Sequence, residues 1–235
     1  MQNTKIKYIV SLLNRLRPHP MIIYPPDYWI SPLGAALGLI GTAYLSHFFL
    51  GDFNPWFIAP MGASAVLLFA LPASPLAQPW SIIGGNLIAA VVGITCAKLI
   101  ATPILSVALA GSLAIALMMR LRCLHPPSGA VALTAILGGP QVSELGYQFA
   151  LSPVLVNSLL LVILAIIFNL LAKRDYPHHP KTPQKSTKDV GEITLEDVER
   201  ALREHHELLD IDETDLLNIV KETEKIAKNR RKRQA

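Results

Sequence analysis

Long apolar stretches separated by short polar breaks make up most of the chain, and their lengths predict its architecture. A helix needs about 20 apolar residues to cross the hydrocarbon core of a bilayer. Three stretches meet that length and a fourth nearly does: residues 30–50, 80–100, 153–172 and 103–121. Two more apolar stretches, residues 56–71 and 126–137, are shorter and contain proline and glycine. The pattern predicts an all-α polytopic membrane protein with six membrane segments, or with four spans plus two re-entrant segments.

The composition agrees with lipid as the solvent for the middle of the chain. Charged residues make up 16% of the sequence and hydrophobic residues 51%, whereas a soluble domain carries about a quarter charged residues. Between Trp29 and Ala172 the charged side chains are few: Asp52, Lys98, Arg120, Arg122 and Glu144. The net charge of +4 comes from basic residues beside apolar segments, where they suit anionic lipid headgroups and not nucleic acid. The lipid bilayer is therefore the expected partner.

The basic residues also discriminate between six and four spans. With six segments, the basic N-terminus, Arg120 with Arg122, and Lys173 with Arg174 all lie on the cytoplasmic side, as the positive-inside rule prefers. With four spans, Arg120 and Arg122 move to the opposite face. The rule therefore favours six segments in a cell inner (plasma) membrane, with both termini cytoplasmic.

Changes in composition divide the chain into four parts. Residues 1–24 form a basic amphipathic segment, expected to be cytoplasmic, and residues 25–173 form the transmembrane domain. Residues 174–190 are rich in proline, histidine and lysine and are typical of a linker. Residues 191–235 show two short amphipathic stripes that predict a cytosolic helical hairpin tail. This tail leaves open a second function, that of a membrane sensor or assembly protein.

The two short apolar stretches resemble each other. Residues 59–66 read Ala-Pro-Met-Gly-Ala-Ser-Ala-Val, and residues 125–131 read His-Pro-Pro-Ser-Gly-Ala-Val. Each is flanked by two apolar helices, and the helices that follow carry Asn86 and Asn157. A repeat that consists of a helix, a Pro/Gly-broken segment and a second helix thus occurs twice. Because each repeat has three segments, the second copy is inverted in the membrane. Inverted repeats with broken helices are typical of transporters, in which free amides and positive dipole ends face an anionic solute.

The candidate solute-binding residues lie in these two segments and on the flanking helices: Pro60, Gly62, Ser64, Asn86, Arg122, His125, Pro126, Pro127, Ser128, Gly129 and Asn157. Pro126 and Pro127 remove two backbone donors, and Ser128 can cap a new helix start. His125 can donate to an anion or carry a proton, or it can cap the break structurally. Arg122 can attract an anion or act only as a topology signal. Asn86 and Asn157 can line a path or join helices.

Enzymatic chemistry is not expected from these residues. No paired carboxylates, nucleophile triad, metal-ligand set or phosphate loop accompanies His125 in the sequence. We therefore expect no enzyme activity, no cofactor and no metal. Self-association into a homo-oligomer is left open by the sequence.

Residues 122–130, Arg-Cys-Leu-His-Pro-Pro-Ser-Gly-Ala, resemble the signature of the HPP family of integral membrane proteins. Residues 59–66, 74–79 and 84–86 are similar to the other characteristic region of that family. The resemblance implies a transporter, and some members in photosynthetic cells are linked to nitrite transport into plastids. The function expected from it is transport or facilitated movement of a small polar solute, an inorganic anion such as nitrite. The family is usually described with four spanning helices.

Overall fold

The computed structural model describes residues 25–50, 55–178, 200–201, 216–221 and 223–224. The predicted amphipathic segment at residues 1–24 lies outside the described residues. Most of the predicted linker and hairpin tail also lies outside them, although the described parts of the tail are helical. The structure therefore covers the predicted transmembrane domain, except for residues 51–54.

Helices build this domain, and none of its described residues forms a strand. Its α-helices are α1 (Asp27–Leu50), α2 (Pro55–Ala70), α3 (Pro79–Leu99), α4 (Pro103–Arg120), α5 (Ser128–Leu137), α6 (Gly139–Leu145) and α7 (Val156–Leu171). A 3₁₀ turn, Pro75–Ala77, precedes α3, and a π-helical segment, Ala150–Leu155, leads into α7. Pro79 and Pro103 begin α3 and α4, where the missing N–H has no intrahelical partner to lose. The all-α prediction is confirmed.

Four helices are long and apolar enough to cross a membrane. They are Asp27–Phe48, Pro79–Leu99, Pro103–Arg120 and Ala150–Leu171, which coincide with the four long apolar stretches of the sequence. Two shorter apolar helices, Ala59–Ala70 and Ser128–Leu137, correspond to the stretches that contain proline and glycine. The domain has the architecture of a multi-pass, all-helical membrane protein.

The first of the two predicted breaks is absent. α2 is a continuous helix that contains Pro60 in its interior, so the expectation of a Pro/Gly-broken segment there was wrong. A single internal proline removes one backbone donor and bends or weakens the helix without necessarily ending it. The second predicted break is present, because the chain leaves the helical conformation between Arg120 and Ser128.

Helix ends from distant parts of the chain meet at one end of the bundle, here named the near end. Three hydrogen bonds join them: Trp80 Nε1 to Leu121 O at 3.2 Å, Arg174 NH1 to Phe69 O at 2.7 Å, and Tyr176 OH to Ala77 O at 2.9 Å. Arg174 also forms an ion pair with Asp27 at the start of α1. The start of α1 and α3 and the ends of α2, α4 and α7 therefore lie at the near end.

Tyr147, between α6 and the π-helical segment, lies at the opposite end, here named the far end. Its hydroxyl is 3.1 Å from Thr95 Oγ1, and Lys98 Nζ is 5.0 Å from the centroid of its ring. Thr95 lies 15 residues after Trp80 in α3, a rise of about 22 Å at 1.5 Å per residue. The chain from Leu121 to Tyr147 therefore runs from the near end to the far end.

The helices pack as two groups of three. α1, α2 and α7 pack against one another and are named the first unit. α3, α4 and α5 likewise pack against one another and are named the second unit. The two units meet where α3 packs against α7 and the π-helical segment, and where α2 packs against α5.

Small residues allow close approach in both units, but in different ways. A Cβ added at Gly93 of α3 would lie 2.5 Å from Ala132 O of α5, so two helix backbones are in contact there. In the first unit, a Cβ added at Gly38 of α1 would lie 2.5 Å from the ring of Phe69. In α3 the small residues recur every four positions, at Gly85, Ala89, Gly93 and Ala97, a spacing that favours close contact between helix backbones. In α1, by contrast, Gly34 and Gly38 make room for aromatic rings.

Candidate functional site

The turn formed by residues 121–127 carries the His-Pro-Pro tripeptide and folds back against α3. Arg122 has a left-handed backbone conformation, with φ 55°, which redirects the chain directly after α4. Cys123 is buried, and its N–H donates to Met118 O at 2.9 Å. A Cβ added at Gly85 of α3 would lie 2.8 Å from Cys123 O and 2.9 Å from Ser128 Oγ. Only a glycine at this position of α3 leaves room for the turn.

His125 is fully buried in this turn, and both of its ring nitrogens have partners. Nδ1 lies 2.9 Å from Leu76 O, and Nε2 lies 2.8 Å from Ser64 Oγ. A carbonyl oxygen can only accept, so Nδ1 carries a hydrogen and donates to Leu76 O. In the neutral ring Nε2 is then the acceptor, and the Ser64 hydroxyl donates to it. The imidazole thereby joins α2 to the loop before α3.

Burial keeps this imidazole neutral. His125 lies in a turn outside the four long helices, and loss of hydration lowers its pKa from 6.5 to about 4. The hydrogen bond to Leu76 O acts in the opposite direction, because it stabilises a ring that carries hydrogen at Nδ1, but it does not offset the burial. His125 is therefore uncharged at neutral pH.

A second chain of hydrogen bonds begins at the first residue of α5. Ser128 Oγ donates to Asn86 Oδ1 at 2.7 Å, and Asn86 Nδ2 donates to Ser158 Oγ at 2.9 Å. Ser158 Oγ donates in turn to Val154 O at 2.7 Å within its own helical segment. All three side chains are fully buried. Helices α5, α3 and α7 are thus joined by neutral polar groups.

We name five side chains the polar seam: Ser64, Asn86, His125, Ser128 and Ser158. Two of its hydrogen bonds cross between the units, because Ser64 and Ser158 belong to the first unit, and His125 and Asn86 bond to them from the second unit or its turn. Each side chain of the seam is neutral at pH 7. Interhelical hydrogen bonds of this kind contribute about 0.6 kcal/mol each, so these two bonds add little to the stability of the contact between the units.

The backbone amides at the start of α5 are not free in this conformation. The N–H groups of Ser128, Gly129 and Ala130 donate to carbonyl oxygens of residues 125–127, at 2.9 to 3.1 Å. The expectation that the second break presents unpaired amides to a solute was therefore wrong for this state. The turn itself supplies the acceptors, because its carbonyl groups point along the new helix.

The remaining predicted site residues lie around the seam or away from it. Pro60 O lies 3.2 Å from Ser64 Oγ, and Pro127 is buried directly before Ser128. Gly62 and Gly129 are half-buried, and a Cβ added at either would have no atom within 4 Å. Both glycines therefore border open space beside the two short helices.

Three predicted residues do not join the seam. Pro126 and Arg122 are exposed at the turn. Asn157 is buried, but its Nδ2 donates to Pro153 O one turn earlier, at 2.8 Å. In the described part of the chain, no group of three His, Cys, Asp or Glu side chains converges to hold a metal ion.

Several polar contacts were not predicted from the sequence. Ser158, and not its neighbour Asn157, is the partner of Asn86. Asn169 is fully buried, and its Nδ2 donates to Leu68 O of α2 at 3.2 Å. The available signal was a polar residue inside an apolar helix, which Ser158 and Asn169 both provide.

The ion pair between Arg174 and Asp27 was also missed. Arg174 donates in addition to Ser31 Oγ at 3.1 Å and to Phe69 O at 2.7 Å, so it ties the near ends of all three helices of the first unit. Arg174 had been interpreted only as a topology signal. Its partner lies 147 residues earlier in the chain, a distance that no local pattern reveals.

Comparisons with known proteins place this domain among membrane proteins. A family model described as "HPP, transmembrane region" matches residues 22–177. A transmembrane protein of Dictyostelium discoideum is 41% identical over 125 residues, which are 51% of this chain and 44% of that protein. Another transmembrane protein of the same organism is 35% identical over 165 residues, which are 63% of this chain and 53% of that protein. The chain spans about half the length of these curated relatives. No solved structure matches it.

Proposed function

Because the chain belongs to the HPP family of integral membrane proteins, we propose that it is a transporter or facilitator that moves a small polar solute, an inorganic anion, across the membrane. The polar seam carries this proposal. Five polar side chains are buried among apolar helices, and two of their hydrogen bonds join the two helical units. Polar groups inside a membrane domain are expensive and commonly mark a solute path.

The packing of the helices supports an inverted repeat. If α1, α2 and α3 correspond to α4, α5 and α7, each contact in one unit has a counterpart in the other. The contact of α1 with α2 corresponds to that of α4 with α5, and the contact of α1 with α7 corresponds to that of α4 with α3. The contact of α2 with α7 corresponds to that of α5 with α3. The contacts of α3 with α7 and of α2 with α5 map onto themselves. A two-fold relation of this kind is what alternating access between two repeats requires.

Six crossings and a cytoplasmic near end form part of the proposal. The chain alternates between the near end and the far end along α1, α2, α3, α4, the α5–α6 pair and α7, which supports six crossings. The near end holds Arg120, Arg122, Lys173 and Arg174, whereas the far end holds Lys98 and Glu144. By the positive-inside rule, this distribution supports a cytoplasmic near end and, with six crossings, cytoplasmic termini. We propose the cell inner membrane as the location.

The seam suggests how the protein would open. Rocking of the first unit against the second would separate Ser64 from His125 and Asn86 from Ser158. The groups so released are hydroxyl and amide donors, which can bind an anion that has lost water. In the closed state these groups satisfy one another, so none of the five seam side chains is left without a partner while the path is shut.

The experiment that tests this function is uptake into proteoliposomes that contain the purified protein. Nitrite, nitrate, formate and chloride are supplied separately, nitrite first because the family resemblance implies it. We expect saturable uptake of at least one anion above that of protein-free liposomes. Asn86→Leu removes, at similar volume, an amide that would bind the anion once the seam opens, and it should slow uptake about tenfold, as a loss of about 1.4 kcal/mol predicts.

Ser112→Ala is the matched control. Ser112 is exposed on α4, and its hydroxyl bonds only to Ala108 O and Leu109 O of the same helix. Uptake by this variant should equal that of the wild type. Absence of uptake of all four anions by folded protein would contradict the transport function. Equal slowing in both variants would show that the polar seam does not line the solute path.

A further inference from the structure

The Ser64 hydroxyl has two acceptors within reach but one hydrogen to donate. His125 Nε2 lies 2.8 Å from Ser64 Oγ, and Pro60 O lies 3.2 Å from it. With neutral His125 the hydrogen lies towards Nε2, because that nitrogen carries only a lone pair. The contact with Pro60 O is then the one that lacks a hydrogen.

A second arrangement of hydrogens satisfies the same atoms without moving them. If a proton binds to Nε2, the new Nε2–H donates to Ser64 Oγ. The Ser64 hydroxyl rotates, and its hydrogen turns from Nε2 to Pro60 O. Nδ1–H continues to donate to Leu76 O at 2.9 Å. The site therefore holds hydrogen-bond partners for both protonation states of the ring, and one proton is the only atom gained.

Among the residues that the structure describes, none brings an opposite charge to a protonated ring. Neither α2, the 71–78 loop, α5 nor α7 carries a titratable side chain in its sequence. On α3 the titratable groups are Cys96 and Lys98, both near the far end. The turn itself carries Arg122 and Cys123 beside His125, and Arg120 is the last residue of α4. The segment after α7, beside the 71–78 loop, carries Lys173, Arg174, Asp175, Tyr176 and His178.

Within that last segment the acidic side chains already have other partners. Asp175 pairs with His178, with 3.7 Å between Oδ2 and Nδ1, and the Tyr176 hydroxyl donates to Ala77 O. Arg174 holds Asp27. An isolated buried cation is strongly unfavourable unless it is paired. In the described part of the chain no acid is placed to pair with a protonated His125, so we expect its partner to be an anion that enters from outside the protein.

We propose that His125 binds a proton together with the anionic solute, so that the two cross the membrane as a neutral pair. This inference rests on the proposed transport of an anion and specifies its coupling ion. Each partner makes the other's binding favourable: the anion supplies the charge that a buried imidazolium needs, and the imidazolium replaces the water that the anion loses. Release reverses the steps, since Nε2 loses its proton and the Ser64 hydroxyl turns back.

The test uses wild-type protein in proteoliposomes that contain a pH-sensitive dye. Nitrate or chloride is added outside, because the acids of both are strong and neither carries a proton through lipid by itself. We expect the interior to acidify as the anion enters, with equal numbers of protons and anions. We also expect the uptake rate to be unchanged by an imposed potassium diffusion potential, because a neutral pair carries no net charge.

The outcomes separate the coupling from the transport. Anion uptake without acidification, or at a rate set by the potential, would overturn the coupling and leave transport intact. Absence of any uptake would overturn both. Neither result depends on a variant that could fail to fold.

His125→Gln identifies the proton-binding group. In detergent, the affinity of the wild type for nitrate should rise about tenfold per pH unit as the pH falls from 7 to 5, because one proton is bound with each anion. The affinity of His125→Gln should not change with pH, since an amide does not titrate. His47→Gln, at an exposed position near the end of α1, should behave as the wild type. A wild-type pH dependence that persists in His125→Gln would overturn the assignment.

Ser64→Ala provides a second variant if His125→Gln does not fold. It removes the acceptor of the charged Nε2–H, and a hydrogen bond from a charged donor is stronger than one to the neutral ring. The nitrate affinity should therefore keep its slope but shift to lower pH. An unshifted curve would contradict the role of Ser64 in proton binding.

Discussion

The two segments with similar sequences, α2 and the turn that leads into α5, have different structures. α2 continues through Pro60, whereas residues 121–127 leave the helical conformation before α5 begins. A single proline removes one donor, while Pro126 and Pro127 together remove two and also disfavour the helical conformation of the residue before each. Consecutive prolines therefore determine the break, and one proline followed by glycine does not.

The two units that contain these segments also pack differently. α5 lies with its backbone against Gly93 of α3, whereas Gly34 and Gly38 of α1 lie against the ring of Phe69, which packs edge-on against Phe168 at 5.5 Å between centroids. A backbone contact cannot yield to a larger side chain, but a ring can rotate or shift. The second unit should therefore be the less tolerant of added volume.

The largest expected effect tests this difference directly. Gly93→Ala places a methyl group 2.5 Å from Ala132 O and 2.7 Å from Ala135 Cβ, and we expect a loss of about 3 kcal/mol in the free energy of unfolding. Gly38→Ala meets the far edge of the Phe69 ring and should lower it by about 1 kcal/mol. Thermal unfolding in detergent measures both.

Gly111→Ala is the control for this pair, because a Cβ added at Gly111 of α4 would have no atom within 4 Å. Its unfolding temperature should equal or exceed that of the wild type, since alanine is the better helix former. Equal losses for Gly93→Ala and Gly38→Ala would show that the two units do not differ in tolerance.

An intermediate effect is expected on the pH dependence of the free energy of unfolding, and it comes from His125, which has no counterpart in α2. The pKa of His125 is lowered from 6.5 to about 4 in the folded protein, so between these values the unfolded chain binds a proton that the folded chain does not. The free energy of unfolding should therefore fall as the pH falls, by about 2 kcal/mol at pH 5 relative to pH 7.

His125→Gln should lose this part of the pH dependence and retain the remainder. Unfolding temperatures of both proteins, measured from pH 7 to pH 5 in the same detergent, give the difference. Parallel curves for the two proteins would mean that His125 is not the group whose protonation opposes folding.

The smallest effect compares the prolines themselves. Pro60→Ala restores a donor to the interior of α2 and should raise the free energy of unfolding by about 1 kcal/mol. Pro127→Ala acts at a residue outside the helix, where φ is −59° and alanine is accommodated, so we expect a change of less than about 1 kcal/mol. A free energy of unfolding lower than that of the wild type for Pro60→Ala would mean that Pro60 itself contributes to packing.

The long helices could be predicted from the sequence because their only requirement is an apolar run of sufficient length. Residues 80–100 and 103–121 correspond to α3 and α4 within one residue at each end. The close approach at Gly93 agrees with the spacing of four between the small residues of α3. These features depend on local composition, which the sequence shows directly.

The polar contacts could be predicted only in part, because they depend on rotation about the helix axis. Asn157 and Ser158 are neighbours, yet adjacent helical residues point about 100° apart, and it is Ser158 that faces Asn86. His125 was identified as a candidate, but its partner Ser64 lies 61 residues earlier. Nothing in the spacing of the two residues indicates that Nδ1 donates to Leu76 O and leaves Nε2 for Ser64.

The neutrality of the polar seam has a consequence for the order in which solutes would be preferred. With no fixed positive charge among its five side chains, the free energy of removing water from the solute is opposed only by hydrogen bonds and by the accompanying proton. Large anions that hold water weakly, such as nitrate, would then enter more readily than small ones that hold it tightly, such as fluoride. Selectivity would follow hydration and not charge.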